Sequence, residues 1–265
     1  MDSLKIKIFC RSFDLRLYRL SKGLYESWGF PCARLTDQSA DGYFLTMLKD
    51  KDCDIAINVD EDCFITSKEA VMRLVDYVIS NGIANAGCSD EGAGVPRKGL
   101  REVTNPFFNI FDLRQIRQAY NKDAIKPYTK GIQVRGFMEP YYPFFLWMAD
   151  NMKVEYLPNA KHPDGTTTIL YNHLGEEMCR HTWFARFYSV PAFIVKHWQP
   201  TIGAQQKRID NVINEAYAAQ QIAKPKFSFS DELCFIGNKI IRWIIKIPQR
   251  VCGWPRKIKR RLKRA

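Results

Sequence analysis

The chain has 265 residues, 46% hydrophobic and 13% aromatic, which is enough apolar material for a large folded domain. Its formal net charge of +12 suggests a nucleic-acid-binding protein, but the charge is unevenly placed. Residues 233–265 contain eleven Lys or Arg and no Asp or Glu, whereas the first 232 residues carry 29 basic and 28 acidic residues. A nearly neutral body argues against nucleic-acid binding by the folded domain.

The eight cysteines form no Cys-x-x-Cys pair and have no zinc-ribbon spacing. Several fall in apolar runs that predict strands, which favours buried, reduced thiols in a cytoplasmic protein over a disulfide framework. The N-terminus lacks the organisation of a signal peptide. No uncharged apolar run reaches the roughly 20 residues of a membrane-spanning helix. We therefore expect a cytoplasmic protein.

The first ninety residues alternate predicted strands and helices. Alternating or continuous apolar runs predict the strands, and apolar residues at helical spacing predict the helices. In chain order these are a strand over 4–9, a helix over 13–27, a strand over 32–35, a helix over 42–49, a strand over 54–59, a helix capped by Thr66 or Ser67 and ended by Asn81-Gly82, and a strand over 83–88. This order predicts an α/β fold with a mostly parallel central sheet flanked by helices.

The remaining elements alternate less regularly. They are a Gly-rich loop over 89–105, a strand over 106–111, a helix over 112–120, an irregular stretch over 121–138, a helix over 139–151, a strand over 154–157, a loop over 158–167, a strand over 168–171 and an Ala-rich helix over 204–222. Gly92 and Gly94 are not followed by Gly-Lys-Ser/Thr, so the loop does not match a phosphate-binding P-loop.

The sequence Asp60-Glu61-Asp62, directly after the strand 54–59, is the strongest chemical signal. In an extended chain Asp60 and Asp62 lie on the same side, while Glu61 points away. A hard divalent cation binds such carboxylates and keeps positions open for phosphate oxygens, and the carboxyl ends of strands are where α/β sheets bind ligands. These points favour a metal-bound diphosphate site. A solvated acidic turn, or an acidic cluster that favours the dipole of the next helix, is the alternative.

Residues 54–66 resemble the Asp-x-Asp segment of GT-A-fold glycosyltransferases, and the segment Asn105–Asp112 is similar to a strand that follows the sugar-donor loop in bacterial members. The overall pattern is similar to bacterial enzymes of surface-polysaccharide or lipopolysaccharide synthesis. The resemblance implies a GT-A-like catalytic domain over 1–225, with a nucleotide-sugar half over about 1–105 and an acceptor half over about 106–225. It also implies a nucleotide-sugar donor, expected to be UDP-linked, held through Mn²⁺ or Mg²⁺, and a glycan or lipid-linked acceptor.

The resemblance implies further site residues. His181, in His-Thr-Trp-Phe, resembles the histidine that completes the metal shell in several of these enzymes, and an imidazole beside carboxylates suits Mn²⁺. His173 is a second candidate, and either histidine is equally explained as a hydrogen-bonded structural residue. Glu139 has the position of the general base that takes the proton from the acceptor hydroxyl, although a helix-starting Glu is an alternative. The His-x-x-Gly-x-x-Lys-Pro-Trp ending of one retaining family is not present.

Residues that follow the first two predicted strands line the nucleotide crevice in folds of this kind. Arg11 is a candidate contact for the base or diphosphate, and Asp37 or Asp41 for a ribose hydroxyl. Surface charge or helix capping explains each of them as well. The basic residues of the Gly-rich loop are candidates to fold over the diphosphate: Arg97, Lys98 and Arg101.

Residues 226–265 predict a basic, amphipathic helical tail. Apolar residues recur there at helical spacing, with Trp243 beside them, and Pro248 and Pro255 interrupt the pattern: Ile236, Ile240, Ile244, Ile247 and Val251. An apolar stripe with a cationic face is typical of helices that bind anionic membrane surfaces. We therefore expect residues 233–265 to hold the protein peripherally on the inner face of the cell membrane. A helix packed on the body with a disordered basic end is the alternative.

Together these features predict a metal-dependent glycosyltransferase. One alternative is a sugar-nucleotidyltransferase of similar fold, which is disfavoured because no Gly-rich, basic phosphate signature follows the first strand. The other is a non-enzymatic nucleic-acid-binding protein that uses the basic tail, which is disfavoured by the neutral body.

Overall fold

The computed structural model describes residues 4–36, 40–96, 99–134, 139–188 and 200–241. The strands in these residues are β1 (Ile6–Arg11), β2 (Cys32–Leu35), β3 (Ile55–Asp60), β4 (Cys63–Ile65), β5 (Asn85–Ser89), β6 (Thr104–Asp112), β7 (Val154–Leu157), β8 (Asn159–Lys161), β9 (Thr168–Tyr171) and β10 (Glu177–His181). The helices are α1 (Leu15–Lys22), α2 (Ala40–Lys49), α3 (Lys68–Ser80), α4 (Leu113–Ala119), α5 (Lys122–Val134), α6 (Tyr142–Asn151), α7 (Ala185–Tyr188) and α8 (Pro200–Ala219). A 3₁₀ turn spans Glu26–Trp28, and residues 229–241 form a further helix, called the C-terminal helix below.

The central sheet has six strands in the order β2-β1-β3-β6-β5-β7. Only β6 runs antiparallel to its neighbours, β3 and β5, and every other pair in this sheet is parallel. The predicted mixed α/β architecture, with a mostly parallel sheet flanked by helices, is therefore confirmed.

Each face of the central sheet packs on its own hydrophobic core. Along β3 the side chains of Ile55, Ile57 and Val59 belong to one core, and Ala56 between them belongs to the other, as the two-residue period of a strand requires. The first core includes residues of α1, α3 and α8, and the second includes residues of α2, α4 and α6. Because both faces are covered, β3 is buried along its whole length.

A second sheet of four short strands, in the order β4-β10-β9-β8, was not predicted. Its neighbouring strands are all antiparallel. Only Glu61 and Asp62 separate β3 from β4, so the chain passes from the first sheet to the second at the acidic turn. Across that second sheet, His181 of β10 lies opposite Cys63 of β4.

The prediction of an irregular stretch over 121–138 is wrong for its larger part, because α5 occupies Lys122–Val134. Its polar composition and Pro127 hid a helix that is stabilised by packing, since Ile125 and Tyr128 lie against the second core. A proline in a helix interior removes one backbone hydrogen bond, which such packing offsets.

The predicted tail is described only as far as residue 241, and residues 242–265 lie outside the described residues. In the described part of the chain, every helix is too short or too polar to cross a lipid bilayer. The seven cysteines that the structure describes are free thiols.

Candidate metal centre

The site lies where the central strands β1 and β3 end. These strands run parallel, and their last residues, Arg11 and Asp60, are partners in the strand register. The turn after β3 adds Glu61 and Asp62. All three carboxylate residues of this turn are buried, which is rare for acidic side chains that lack a charged partner.

Asp60, Asp62 and His181 form the centre of the site. One potential ligand atom from each residue lies within 4.8 Å of the other two, and all three residues are buried. Nε2 of His181 is 3.2 Å from Oδ1 of Asp62. Two ligands on opposite sides of one octahedral Mg²⁺ are roughly 4 Å apart, so small side-chain adjustments suffice for one ion to contact all three residues.

His181 is held in place by both sheets. Its ring stacks on Phe107 of β6, with 4.3 Å between the ring centroids and 9° between the planes. The next residue, Thr182, donates hydrogen bonds to the carbonyl oxygen of Asp62 from its backbone N–H at 2.9 Å and from its hydroxyl at 3.2 Å. The end of β10 is thereby fastened to the acidic turn.

The protein supplies only part of the positive charge that these carboxylates need. Nη2 of Arg11 donates to Oδ2 of Asp60 at 2.8 Å, and the carboxylates raise the pKa of Arg11 despite its burial. Burial raises the pKa of Asp60 even with Arg11 beside it. Burial acts in the same direction on Asp62, but the His181 imidazole outweighs it and lowers the pKa of that carboxyl. A cation near both groups would favour the charged form of each.

The residues present fit a divalent cation. Oδ1 of Asp60 and Nδ1 of His181 are buried atoms without a hydrogen-bond partner among the described residues, and an unsatisfied buried polar atom is costly. Two carboxylates and an imidazole are a donor set that suits Mn²⁺, and carboxylate oxygens suit Mg²⁺. Asp60, Asp62 and His181 could therefore hold a metal.

Glu61 turns away from these ligands and fastens the loop after β1. Its Oε2 atom accepts hydrogen bonds from the hydroxyl of Ser12 (2.9 Å) and the backbone N–H groups of Phe13 (2.8 Å) and Asp14 (2.6 Å). Asp14 in turn caps α1 by accepting from the N–H groups of its first turn. Burial raises the pKa of Glu61 to about 8, although these hydrogen bonds favour the carboxylate. The role of Glu61 is thus to position the loop.

A cavity of about 270 Å³ opens beside the metal ligands. Its wall contains acidic, basic and aromatic side chains. Besides the three candidate metal ligands, the lining includes Arg11, Phe13, Glu139, Trp183 and Phe184. Glu139 precedes α6, and its carbonyl accepts from the N–H of Tyr142 at 3.1 Å. The family resemblance made Glu139 the candidate general base, and Glu139 lines the same cavity as the three candidate metal ligands.

Two aromatic residues of this wall have unusual backbones. Trp183 and Phe184 have φ angles of 56° and 59°, a left-handed conformation that bulky residues rarely adopt. The indole N–H of Trp183 donates to the hydroxyl of Thr168 at 2.8 Å, which fixes the ring. Such strain concentrates at functional sites, where the surrounding structure holds it in place.

Sequence reasoning missed the aromatic part of the site. Phe13, Trp183 and Phe184 were not among the candidate residues, although each follows a candidate closely: Phe13 comes two residues after Arg11, and the other two come directly after His181-Thr182. That adjacency was the available signal.

The remaining candidates are not among the described residues of this site. His173 is not in the group of ligands, and its ring stacks on Tyr77 with 3.9 Å between centroids. Arg101 is exposed and lines a different cavity. Asp41 lies in α2, but its side chain is outside the described part of the structure. Asp37, Arg97 and Lys98 lie outside the described residues.

No protein-family model matches this chain. No curated protein matches it significantly. Among solved structures, the protein A197 from STIV is similar over 64% of this chain and 95% of its own, with 12% sequence identity and a TM-score of 0.42. A cytidylyltransferase from Leptospira borgpetersenii is similar over 86% of this chain and 100% of its own, with 10% identity and a TM-score of 0.36. Likenesses this distant carry no weight for the function, which depends on the site itself.

Proposed function

We propose that this chain is a metal-dependent glycosyltransferase that moves a sugar from a nucleotide-sugar, expected to be UDP-linked, to a glycan or lipid-linked acceptor. The observation that carries the proposal is the group Asp60, Asp62 and His181, buried at the carboxyl end of β3 and open to a cavity that also contains Glu139. It pairs a site for a cation with a separate carboxylate, and a metal-dependent, inverting sugar transfer from a diphosphate leaving group uses both.

On this proposal the metal ligands and Arg11 serve the donor. A divalent cation, when bound, supplies positive charge that stabilises the departing nucleoside diphosphate. The Arg11 guanidinium lies at the end of β1, adds a permanent positive charge to the same wall and is fixed by its ion pair with Asp60. Phe13 and Phe184 are exposed rings on that wall, which suits stacking against a nucleobase or a sugar ring.

Glu139 serves the acceptor in this scheme. A carboxylate at the cavity accepts the proton of the attacking hydroxyl as the bond to the anomeric carbon forms. Glu139 also lines an apolar groove of about 490 Å³ between α5 and α6, where Ile125 and Phe144 form part of the wall. One residue thus borders both the charged cavity and an apolar surface, which suits an acceptor that has a polar and an apolar part.

A thermal-shift comparison tests the metal site. The wild-type chain is heated with UDP, GDP, CDP and their sugar conjugates, each with and without Mn²⁺. A ligand that binds only the folded state raises its stability, by about 2.7 kcal/mol at a concentration 100 times its dissociation constant. We expect a nucleotide-sugar to raise the melting temperature when Mn²⁺ is present and not when EDTA replaces it.

Asp62→Asn should abolish this shift, because the amide retains the shape but loses the charge that holds the cation. Asp76→Asn is the matched control, since Asp76 is exposed on α3 and is not among the residues that line the cavity. Equal shifts in Asp62→Asn and the wild type would remove the metal site from the proposal.

The rival reaction on the same site is nucleotidyl transfer, in which a nucleoside triphosphate and a sugar phosphate give a nucleotide-sugar and pyrophosphate. To distinguish the two reactions, the chain is incubated in one assay with a nucleotide-sugar and an acceptor, and in another with a nucleoside triphosphate and a sugar phosphate. Metal-dependent pyrophosphate release from a nucleoside triphosphate and a sugar phosphate would replace the glycosyltransferase with this alternative.

A further inference from the structure

The C-terminal helix exposes an apolar stripe. Four large apolar residues recur along it at spacings of three or four residues, and each is between 52% and 80% exposed: Phe229, Leu233, Ile236 and Ile240. Ile241, beside them, is also exposed. Residues at this spacing lie on one face of a helix. A continuous apolar face without a partner in the described part of the protein indicates a binding surface.

The opposite side of the same helix is fixed to α1. The guanidinium of Arg16 donates to both oxygens of Glu232 at 2.8 and 2.9 Å, and that of Arg19 donates to Asp231. Between these ion pairs, Phe235 is only 2% exposed and lies under both guanidinium groups. The helix is therefore held in one orientation, with its apolar stripe turned outward.

The contacts also give the direction of the helix. Its first turn contacts Arg16 and Arg19, while further along Asn238 accepts from the N–H of Leu15 at 3.4 Å and Lys239 lies 3.9 Å from Asp14. The helix is thus antiparallel to α1, and its end approaches the loop that Glu61 fastens. Phe13 of that loop lines the metal cavity, so the stripe ends on the side of the protein where the cavity opens.

The charge of residues 242–265, which follow the C-terminal helix in the sequence, indicates which kind of partner the stripe binds. Residues 242–265 continue directly from the stripe and contain ten Lys or Arg and no Asp or Glu. A second copy of the chain would bring two such segments together, and their repulsion disfavours pairing. Nucleic acid satisfies the charge but offers no apolar region for four large side chains. An anionic lipid surface satisfies both.

We propose that the apolar stripe of the C-terminal helix inserts into the interface of an anionic lipid bilayer, whose negative charge complements the basic sequence of residues 242–265. This arrangement places the mouth of the metal cavity next to the bilayer. The inference is independent of the reaction, because the stripe and the metal ligands share no residue.

Vesicle sedimentation tests the proposal with the full chain. Vesicles of phosphatidylcholine alone are compared with vesicles of equal parts phosphatidylcholine and phosphatidylglycerol. We expect the wild type to sediment with the anionic vesicles, and raised salt to weaken this binding in part, because salt screens headgroup attraction and leaves apolar insertion. The variant Ile236→Asp/Ile240→Asp should bind at least about tenfold more weakly, since it removes two inserted side chains and adds two charges.

Leu174→Asp is the matched control. Leu174 is also an exposed large apolar residue, but it lies in the turn before β10 and not in the C-terminal helix, so its substitution should leave vesicle binding unchanged. Melting temperatures close to that of the wild type verify that both variants are folded. They are also compared for binding of a labelled oligonucleotide and for molecular mass in solution.

Each other result overturns the proposal. Equal sedimentation of the double variant and the wild type shows that the stripe does not contact lipid. If the wild type does not sediment with vesicles but forms a dimer, and the double variant stays monomeric, the stripe binds a second copy of the chain. A wild type that binds the oligonucleotide in preference to the anionic vesicles assigns the basic segment to nucleic acid.

Discussion

The acidic turn and the C-terminal helix invert the usual distribution of side chains. In the turn, Asp60 and Asp62 are charged groups removed from water, whereas in the helix Ile236 and Ile240 are apolar groups left in it. Either arrangement costs folding free energy when the chain is considered alone. In both places the surrounding structure is well fixed, by Thr182 and Phe107 at the turn and by Arg16 and Arg19 at the helix.

The two regions therefore support the same inference, although one buries charged groups and the other exposes apolar groups. A firmly held side chain in an unfavourable environment indicates a partner that changes that environment. For the turn, this partner is a cation, because the buried atoms there are ligands. For the helix, it is a low-dielectric surface, because the exposed atoms are hydrocarbon. The predictions below test whether each region behaves in this way.

The largest effect should come from the cavity beside the acidic turn. Glu139→Gln removes the proposed proton acceptor and retains the size of the side chain. We expect turnover to fall by about 10² to 10⁴, the usual contribution of a general base, with little change in the binding of Mn²⁺ and nucleotide. Glu91→Gln, at an exposed position, is the control. Unchanged turnover in Glu139→Gln would leave that residue as part of the turn before α6, with no role in proton transfer.

The next effect concerns stability and is measured at two neighbouring residues of the C-terminal helix, one on its buried side and one on its exposed side. Phe235→Ala removes the buried ring between the two arginines and should lower the free energy of unfolding by roughly 2–4 kcal/mol. Ile236→Ala removes an exposed side chain and should change it by less than about 0.5 kcal/mol. Urea unfolding measures both, and hydrogen exchange of residues 229–241 shows whether the loss is local. Equal losses would contradict the assignment of the two faces.

The smallest effect concerns Asp164, a carboxylate that the protein's own groups satisfy without a metal ion. Burial raises its pKa, but hydrogen bonds from the hydroxyl and N–H of Thr167, the N–H of Thr166 and the guanidinium of Arg208 outweigh this and lower the pKa to about 2. A lowered pKa in the folded state stabilises the fold above the unfolded value, about 3.9, and this contribution is lost as pH falls toward 2.

Asp164→Asn should therefore lower stability at pH 6 by about 1 kcal/mol, after allowance for solvent screening, and flatten the decline between pH 4 and pH 2. Urea unfolding across this range measures the slope, with Asp76→Asn as control. A slope identical to that of the wild type would show that Asp164 gains nothing from its neighbours.

The secondary-structure elements that could be predicted are those whose own residues show a recognisable pattern of apolar and turn-forming residues. Three strands, β2, β7 and β9, have the predicted bounds, because each is a short apolar or β-branched run with turn residues beside it. The other strands of the second sheet, β4, β8 and β10, were missed because pairing with strands distant in sequence forms them. The helix α5 was missed because contacts made in the folded protein, at Ile125 and Tyr128, outweigh Pro127.

For the candidate site, too, some features could be predicted from the sequence and others could not. The grouping of Asp60, Asp62 and His181 could be predicted, because the spacing of the two aspartates indicates shared metal ligands and the family resemblance implied His181, and the structure brings the three together. The aromatic wall could not, because nothing in the residue types of Trp183 and Phe184 indicates a left-handed backbone. The role of Glu61 depends on where the loop after β1 lies, which only the assembled sheet determines.

The contact between Asp62 and His181 joins positions 119 residues apart along the chain. Closing so long a loop has a large entropic cost, and contacts of this kind form late when a protein folds. We therefore expect the refolding chain to acquire Mn²⁺ affinity only after β10 has paired with β4. Because the ion binds the complete arrangement and not its parts, it should slow unfolding more than it speeds folding.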